Sequence, residues 1–184
     1  RYQSGQVFAF DFGSSIRVAS LAMGGDWQNL GSSLYDGAAA SVFLQPLARI
    51  DDPAERNWAS EWLAAILAAE GVTVDPQVKE YLWSALGSLA SAPVSERTLT
   101  GLAVLLQQQQ LKQALGPYCV GGPYGQLLDA ESEHLGDADV QAFETEGLTG
   151  TGAAPAVLSY LFHRIEGRLD GSPTLIIIDE GWLV

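Results

Sequence analysis

The sequence of 184 residues has few basic side chains and almost no cysteine. Lysine and arginine together number 9, against 22 aspartates and glutamates, so the formal net charge is −13. This imbalance argues against a surface that grips nucleic-acid backbones by bulk electrostatic attraction. The single cysteine, Cys119, excludes an internal disulfide framework and suits a reducing compartment.

Long apolar runs and a phosphate-binding loop are also missing from the sequence. The apolar stretches are short and broken by polar residues, so no membrane-spanning segment is predicted. A P-loop needs a lysine between a glycine and a serine or threonine, and neither Lys79 nor Lys112, the two lysines, has such neighbours. The chain therefore contains no Walker A motif and is not a complete P-loop enzyme.

Short apolar runs near both ends of the chain predict strands. Residues 7–11 form an apolar run closed by Asp11, and a turn with Gly13 and Ser14 follows. Residues 174–178 form a continuous run rich in isoleucine, which is typical of a strand buried on both faces. Residues 41–44 and 142–144 are weaker strand candidates. Because both end strands need neighbours, we expect the chain to be a fragment of a longer protein.

Helices are predicted for most of residues 52–116. Asp52 and Asp75 each precede a proline and are candidate N-caps, and Thr98 or Thr100 can cap a third helix that continues to Leu115. A further helix is predicted over 155–169. Strands on either side of helices favour an α/β fold with a mainly parallel sheet and a helical insertion. The predicted division is 1–51 and 140–184 for the α/β core and 52–139 for the helical subdomain and its loop.

The clearest candidate site is the pair Asp179 and Glu180, which directly follows the apolar run 174–178. Ligands of open α/β sheets bind at the carboxyl ends of the strands, where these carboxylates are expected. In nucleotide hydrolases the first acid of such a pair holds Mg²⁺ and the second can polarise the attacking water. The alternative is a strand that simply ends in two solvated acids.

Three other residues are candidates for a site. Asp11 is expected at the same sheet edge as Asp179 if the strands are parallel, and capping of its own turn is the alternative. His163 and Arg164 lie on the helix 155–169, where a surface or partly buried structural role is the alternative to catalysis or phosphate binding. A metal-dependent hydrolase using Asp11, Asp179, Glu180 and His163 is a further hypothesis.

Several segments together resemble one family, the TrbE-type conjugal-transfer ATPases of type IV secretion systems. The resemblance spans nearly the whole chain and is strongest over 171–182. Phe12 departs from the family pattern, which usually has a basic residue there. The matching segments are 7–15, 43–48, 55–59, 121–125, 143–144, 160–166 and 175–182.

The resemblance implies a partial RecA-like P-loop NTPase sheet with an all-helical insertion, lying between Walker A and a point just past Walker B. It implies that Asp179 coordinates Mg²⁺ and that Glu180 is the catalytic glutamate of an ATP-hydrolysing motor. The chain alone is then expected to be inactive. Further implied features are a homohexamer, other type IV secretion components as partners, and a cytoplasmic position at the bacterial inner membrane; contact with DNA stays open.

A second class of function remains open beside the motor. In that alternative the helical block 52–116 is a non-catalytic protein-interaction module, and the acids after the last strand are incidental. An exposed apolar patch on the block would favour it.

Overall fold

A computed structural model describes residues 5–32 and 42–179. Within them, four strands form one sheet in the order β2-β3-β1-β4, and every neighbouring pair is parallel. The predicted α/β class with a parallel sheet is therefore confirmed. The strands are β1 (Gln6–Asp11), β2 (Asp26–Asn29), β3 (Val140–Glu144) and β4 (Thr174–Ile178). The helices are α1 (Arg17–Ala22), α2 (Pro53–Ala69), α3 (Pro76–Leu89), α4 (Leu99–Leu105), α5 (Gln109–Leu115), α6 (Gly125–Leu128) and α7 (Ala154–Glu166).

The described residues divide into two compact units. The sheet, α1 and α7 belong to a unit drawn from 1–42 and 134–184, and the other helices belong to a unit formed by 43–133. No helix within 5–32 or 42–179 is long and apolar enough to cross a bilayer.

The two central strands, β1 and β3, form the buried middle of the sheet unit. Phe10 pairs in register with Phe143, and both rings are almost fully buried. The two ring centroids lie 5.2 Å apart, and the ring of Phe162 from α7 stacks on Phe10 at 4.9 Å. This aromatic cluster packs α7 against the two central strands.

Strand β4 differs from its prediction because it lies at the edge of the described sheet. The isoleucine run predicts burial on both faces, but Ile176, Ile177 and Ile178 are 38–51% exposed. β4 pairs only with β1 among the described strands, so one of its edges and much of its surface lack a neighbour there. The expectation of burial is wrong for the described chain.

Strand β2 was not predicted, because its sequence looks like the end of a turn. It has only four residues and follows Gly24, whose φ is +76°. Gly25 allows the chain to approach β3 closely, since a Cβ there would lie 2.5 Å from the carbonyl oxygen of Val140. A strand that depends on such a contact has little signal in its own residues.

Three helices of the helical unit, α2, α3 and α4, begin where capping residues predict a helix start. The carboxylate of Asp52 accepts a hydrogen bond from the Ala54 amide at 2.7 Å, and that of Asp75 accepts one from Val78 at 2.8 Å. Thr98, rather than Thr100, caps α4 through a 3.0 Å bond from the Gly101 amide. The packed side chains are mainly leucines, namely Leu63, Leu67, Leu82, Leu86, Leu99, Leu102, Leu111 and Leu115.

Two local predictions are wrong near or within this unit, and one of the two alternative caps is excluded. The third predicted helix is not continuous, because Leu106 adopts an extended conformation (φ −68°, ψ 139°) that separates α4 from α5. Thr100, the other proposed cap, instead pairs with Asp129. The predicted strand at 41–44 is reduced to an isolated β-bridge at Phe43 within 42–44, and Ser41 lies outside the described residues.

Candidate functional site

The carboxyl ends of all four strands meet at one edge of the sheet, because the strands are parallel. Asp11 at the end of β1 pairs in register with Glu144 at the end of β3, and Asn29 at the end of β2 pairs with the same glutamate. Asp179 follows β4 directly and lies next to the end of β1. The sheet therefore gathers one amide and three acidic residues along this carboxyl edge.

Glu144 is the most enclosed acid of this edge, with 2% of its surface exposed. Its Oε1 accepts hydrogen bonds from the amides of Gly13 at 3.2 Å and Glu146 at 2.8 Å. Its Oε2 accepts a short bond from the amide of Ser14. Gly13 and Ser14 both have positive φ, +88° and +58°, so their amides point to a common acceptor. The glutamate thus holds the turn that follows β1.

Asp11 is also buried and also serves this turn. Its Oδ1 accepts a hydrogen bond from the Ser15 hydroxyl at 2.6 Å, and its Oδ2 accepts one from the Ile16 amide at 2.9 Å. Its backbone carbonyl accepts two further bonds from the amide and hydroxyl of Thr145, each 2.9 Å. Both carboxylate oxygens are therefore engaged in turn capping, which was the structural alternative for Asp11.

Asp179 is exposed at the carboxyl edge. Its amide donates a hydrogen bond to the carbonyl oxygen of Phe10 at 2.8 Å, which continues the β4 pairing by one residue beyond Ile178. This bond holds the Asp179 backbone beside the end of β1. Glu180, the predicted catalytic residue, lies outside the described residues.

A polar depression of about 400 Å³ adjoins Glu144 at the same edge. Its walls are close together because two glycines face each other: a Cβ on Gly31 would lie 2.6 Å from the Cα of Gly147. Among the described residues, its lining contains Glu144 and Glu146 as charged side chains and no lysine or arginine. The depression therefore suits a cation or neutral polar groups better than the phosphates of a nucleotide.

His163 and Arg164 lie in the last turn of α7, which leads back toward the start of β4. Nearby Arg168 donates hydrogen bonds to the carbonyls of Asp137 and Ala138, at 3.1 and 3.2 Å, just before β3 begins. Arg164 and Arg168 line a small cavity of about 180 Å³ there.

The described residues do not support the metal-dependent hydrolase hypothesis. The hypothesis needs Asp11, Asp179, Glu180 and His163 around one metal ion, and Glu180 lies outside the described residues. No three histidine, cysteine, aspartate or glutamate side chains within 5–32 and 42–179 form a group that could hold a metal ion. The histidine therefore has no place in a shared metal site with the two aspartates.

Glu144 and Thr145 were not recognised as site residues from the sequence. A signal was present, because residues 142–144 repeat the pattern of residues 7–11, an apolar run closed by a carboxylate. The pattern predicts a weak strand, but its register with β1 depends on contacts about 130 residues apart. Only the folded sheet shows that Glu144 and Asp11 act on the same turn.

The fold shows first which kind of solved structure this chain is similar to. It is similar to the solved structure of VirB4 from Thermoanaerobacter pseudethanolicus, with a TM-score of 0.66 over 98% of this chain and 54% of that chain. Sequence identity to that structure is 16%, so the likeness concerns the fold alone. No protein-family model matches the chain.

Sequence comparison then names the relatives. A probable conjugal transfer protein TrbE of Sinorhizobium fredii is 41% identical over all of this chain. The conjugal transfer protein TrbE of Rhizobium radiobacter is 38% identical, again over all of it. The chain is thus homologous along its whole length to segments of TrbE conjugal transfer proteins, and the predicted resemblance is confirmed. It spans about a quarter of these relatives, 28% and 23% of their lengths.

Proposed function

We propose that this sequence is a segment of a motor ATPase that powers conjugal transfer through a type IV secretion system. One observation supports it most: the end of β4 is held in parallel beside the end of β1, with Asp179 at the carboxyl edge of the sheet. This is where α/β nucleotide hydrolases place a metal-binding acid. Homology to TrbE proteins over the full chain supports the same function.

Asp179 is proposed to hold the Mg²⁺ ion that accompanies ATP. Magnesium prefers carboxylate oxygens and is often bound through one or two of them together with water. Asp179 fits this role because it is exposed at the carboxyl edge, whereas Asp11 and Glu144 are buried and hold the turn after β1. When bound, the ion supplies charge neutralisation for the transferred phosphoryl group.

Glu180 is proposed as the general base that takes a proton from the attacking water. It follows Asp179 directly in sequence, and strand-end neighbours project their side chains in different directions. One acid of the pair can therefore face a metal while the other faces water. Asp11 and Glu144 are proposed to position the turn after β1 rather than to touch the nucleotide.

The remaining features of the proposal follow the resemblance. The core is RecA-like, formed by 1–51 and 140–184 with a helical subdomain over 52–139, and 174–179 is its Walker B strand. The phosphate-binding lysine must come from outside this chain, so the chain alone is proposed to be inactive. The complete protein is proposed to be a homohexamer that works with other secretion components at the cytoplasmic face of the inner membrane.

The test is Mg-ATP turnover by a protein that carries this sequence extended at both ends to the length of its relatives. Glu180→Gln should abolish turnover and leave ATP binding intact, because the glutamate acts on water and not on the nucleotide. Asp179→Asn should lower turnover and raise the Mg²⁺ concentration needed for half-maximal activity, because it removes a carboxylate ligand of the ion. Retained turnover in Glu180→Gln contradicts the proposal.

A matched control is Glu166→Gln. Glu166 is an exposed acid on α7, a helix that leads to the opposite edge of the sheet. The substitution removes the same charge and should leave turnover unchanged. Equal loss in the control and in Glu180→Gln would mean that the activity responds to net charge and not to the residues after β4.

A further inference from the structure

The helical unit contains an open apolar groove that takes no part in the proposed chemistry. It has a volume of about 490 Å³, within the range of binding pockets, about 300–1,000 Å³. The end of α3, with Leu89, forms one wall, and α4, with Val104 and Leu105, forms another. Val120 and Glu131 close it from the loops around α6. We refer to this feature as the α3–α4 groove.

The groove concentrates the exposed apolar side chains of the helical unit. Val104 is 73% exposed, Leu105 41% and Val120 74%, and all three line it. Among the described residues of this unit, the other large apolar side chains that are more exposed than Leu105 are Trp83 and Val94. Exposed apolar side chains gathered in one place mark a surface that a protein segment can cover.

The charged side chains of the groove are all acidic. Glu96 and Glu131 are exposed, and Asp129 lies beneath them with 5% of its surface exposed. Within 5–32 and 42–179, no lysine or arginine contributes to the lining. A lining that combines apolar and acidic side chains is complementary to a segment that combines apolar and cationic side chains.

The groove is preformed, because Asp129 ties its walls together. Its Oδ1 accepts a hydrogen bond from the Thr100 amide of α4 at 3.0 Å. Its Oδ2 accepts bonds from the Thr100 hydroxyl and from the Val120 amide, the latter 2.7 Å long. All these donors are in the same unit. Because the hydrogen bonds already hold the lining residues in place, binding of a partner costs little free energy for ordering them.

We propose that the α3–α4 groove binds an amphipathic helix of a partner protein, with leucine-type side chains on its apolar face and lysine or arginine at the borders of that face. The described walls are helices and loops, and they present no strand edge to which an extended peptide could add its backbone hydrogen bonds. A helix satisfies its own backbone and inserts side chains at positions i, i+3, i+4 and i+7. This inference does not depend on the ATPase proposal.

The test uses a fluorescein-labelled peptide of about 18 residues with leucines at helical spacing and lysines beside them. A second peptide carries glutamate in place of each lysine. Fluorescence anisotropy is measured while the full 184-residue chain is added. The lysine peptide is expected to bind, more weakly at higher salt, and the glutamate peptide is expected not to bind.

Two pairs of variants locate the binding. Val104→Asp should weaken binding by about tenfold or more, whereas Val18→Asp, at a valine that is 78% exposed on α1, should change it by less than about twofold. Glu131→Lys should weaken binding and reduce its salt dependence, whereas Glu80→Lys, at an exposed glutamate of α3 outside the lining, should have a smaller effect. Circular dichroism checks that each variant is folded.

Three results would overturn the proposal. The first is unchanged affinity in both Val104→Asp and Glu131→Lys. The second is equal binding of the lysine and glutamate peptides. The third is a dimer of the chain, seen by sedimentation, that Val104→Asp dissociates, because the groove would then belong to a second copy of the chain.

Discussion

Replacing Glu144 by glutamine tests whether this buried acid holds the turn after β1. The glutamate accepts hydrogen bonds from the amides of Gly13, Ser14 and Glu146 and is 2% exposed. Glutamine has the same shape but only one acceptor oxygen. If that oxygen keeps the bonds from Gly13 and Glu146, the new NH₂ group faces the Ser14 amide, donor against donor.

The size of the effect follows from the one lost bond. A hydrogen bond to a charged group contributes about 1.5–3 kcal/mol, and a buried donor left without an acceptor costs a similar amount. We therefore expect the free energy of unfolding to fall by about 1.5–3 kcal/mol. With a urea dependence of about 2 kcal/mol per molar, the unfolding midpoint should fall by about 1 M.

The assay is urea unfolding of the wild type, Glu144→Gln and Glu146→Gln, followed by circular dichroism. Glu146 is exposed, and only its backbone amide bonds to Glu144, so its substitution should change stability by less than about 0.5 kcal/mol. Equal midpoints for the two variants would refute the reasoning, because the buried acceptor would then contribute no more than a surface side chain.

Further predictions concern packing and pH. Gly31→Ala should lower the free energy of unfolding by about 1–3 kcal/mol, because the new Cβ would lie 2.6 Å from the Gly147 backbone. Thermal unfolding measures this change, and Gly116→Ala is the control because the space around Gly116 is open. Burial, and then Asp129, raise the pKa of Cys119 to about 11, and burial and the hydrogen bond to Glu70 raise the pKa of Tyr118. As the pH rises, the unfolded chain loses these protons before the folded protein does, so the free energy of unfolding should fall above about pH 9. The fall should be less steep in Tyr118→Phe. A free energy of unfolding that does not change with pH contradicts this prediction.

The sequence by itself determined the features that depend on neighbouring residues. Asp52, Asp75 and Thr98 each cap a helix by accepting a bond from an amide two or three residues further along the chain. Such contacts are formed within one turn of backbone, so residue type and spacing are enough to predict them. The apolar runs of β1 and β4, and the resemblance to TrbE proteins, were likewise visible in the sequence.

Only the tertiary structure decided which distant residues share a surface. Glu144 binds amides about 130 positions earlier, Asp129 meets Thr100 across 29 positions, and β2 exists because Gly25 can approach Val140. The isoleucines of β4 have the composition of a buried strand, yet their exposure depends on which strands lie beside them. Local sequence carries little information on these contacts, because each depends on the register in which separate segments pack.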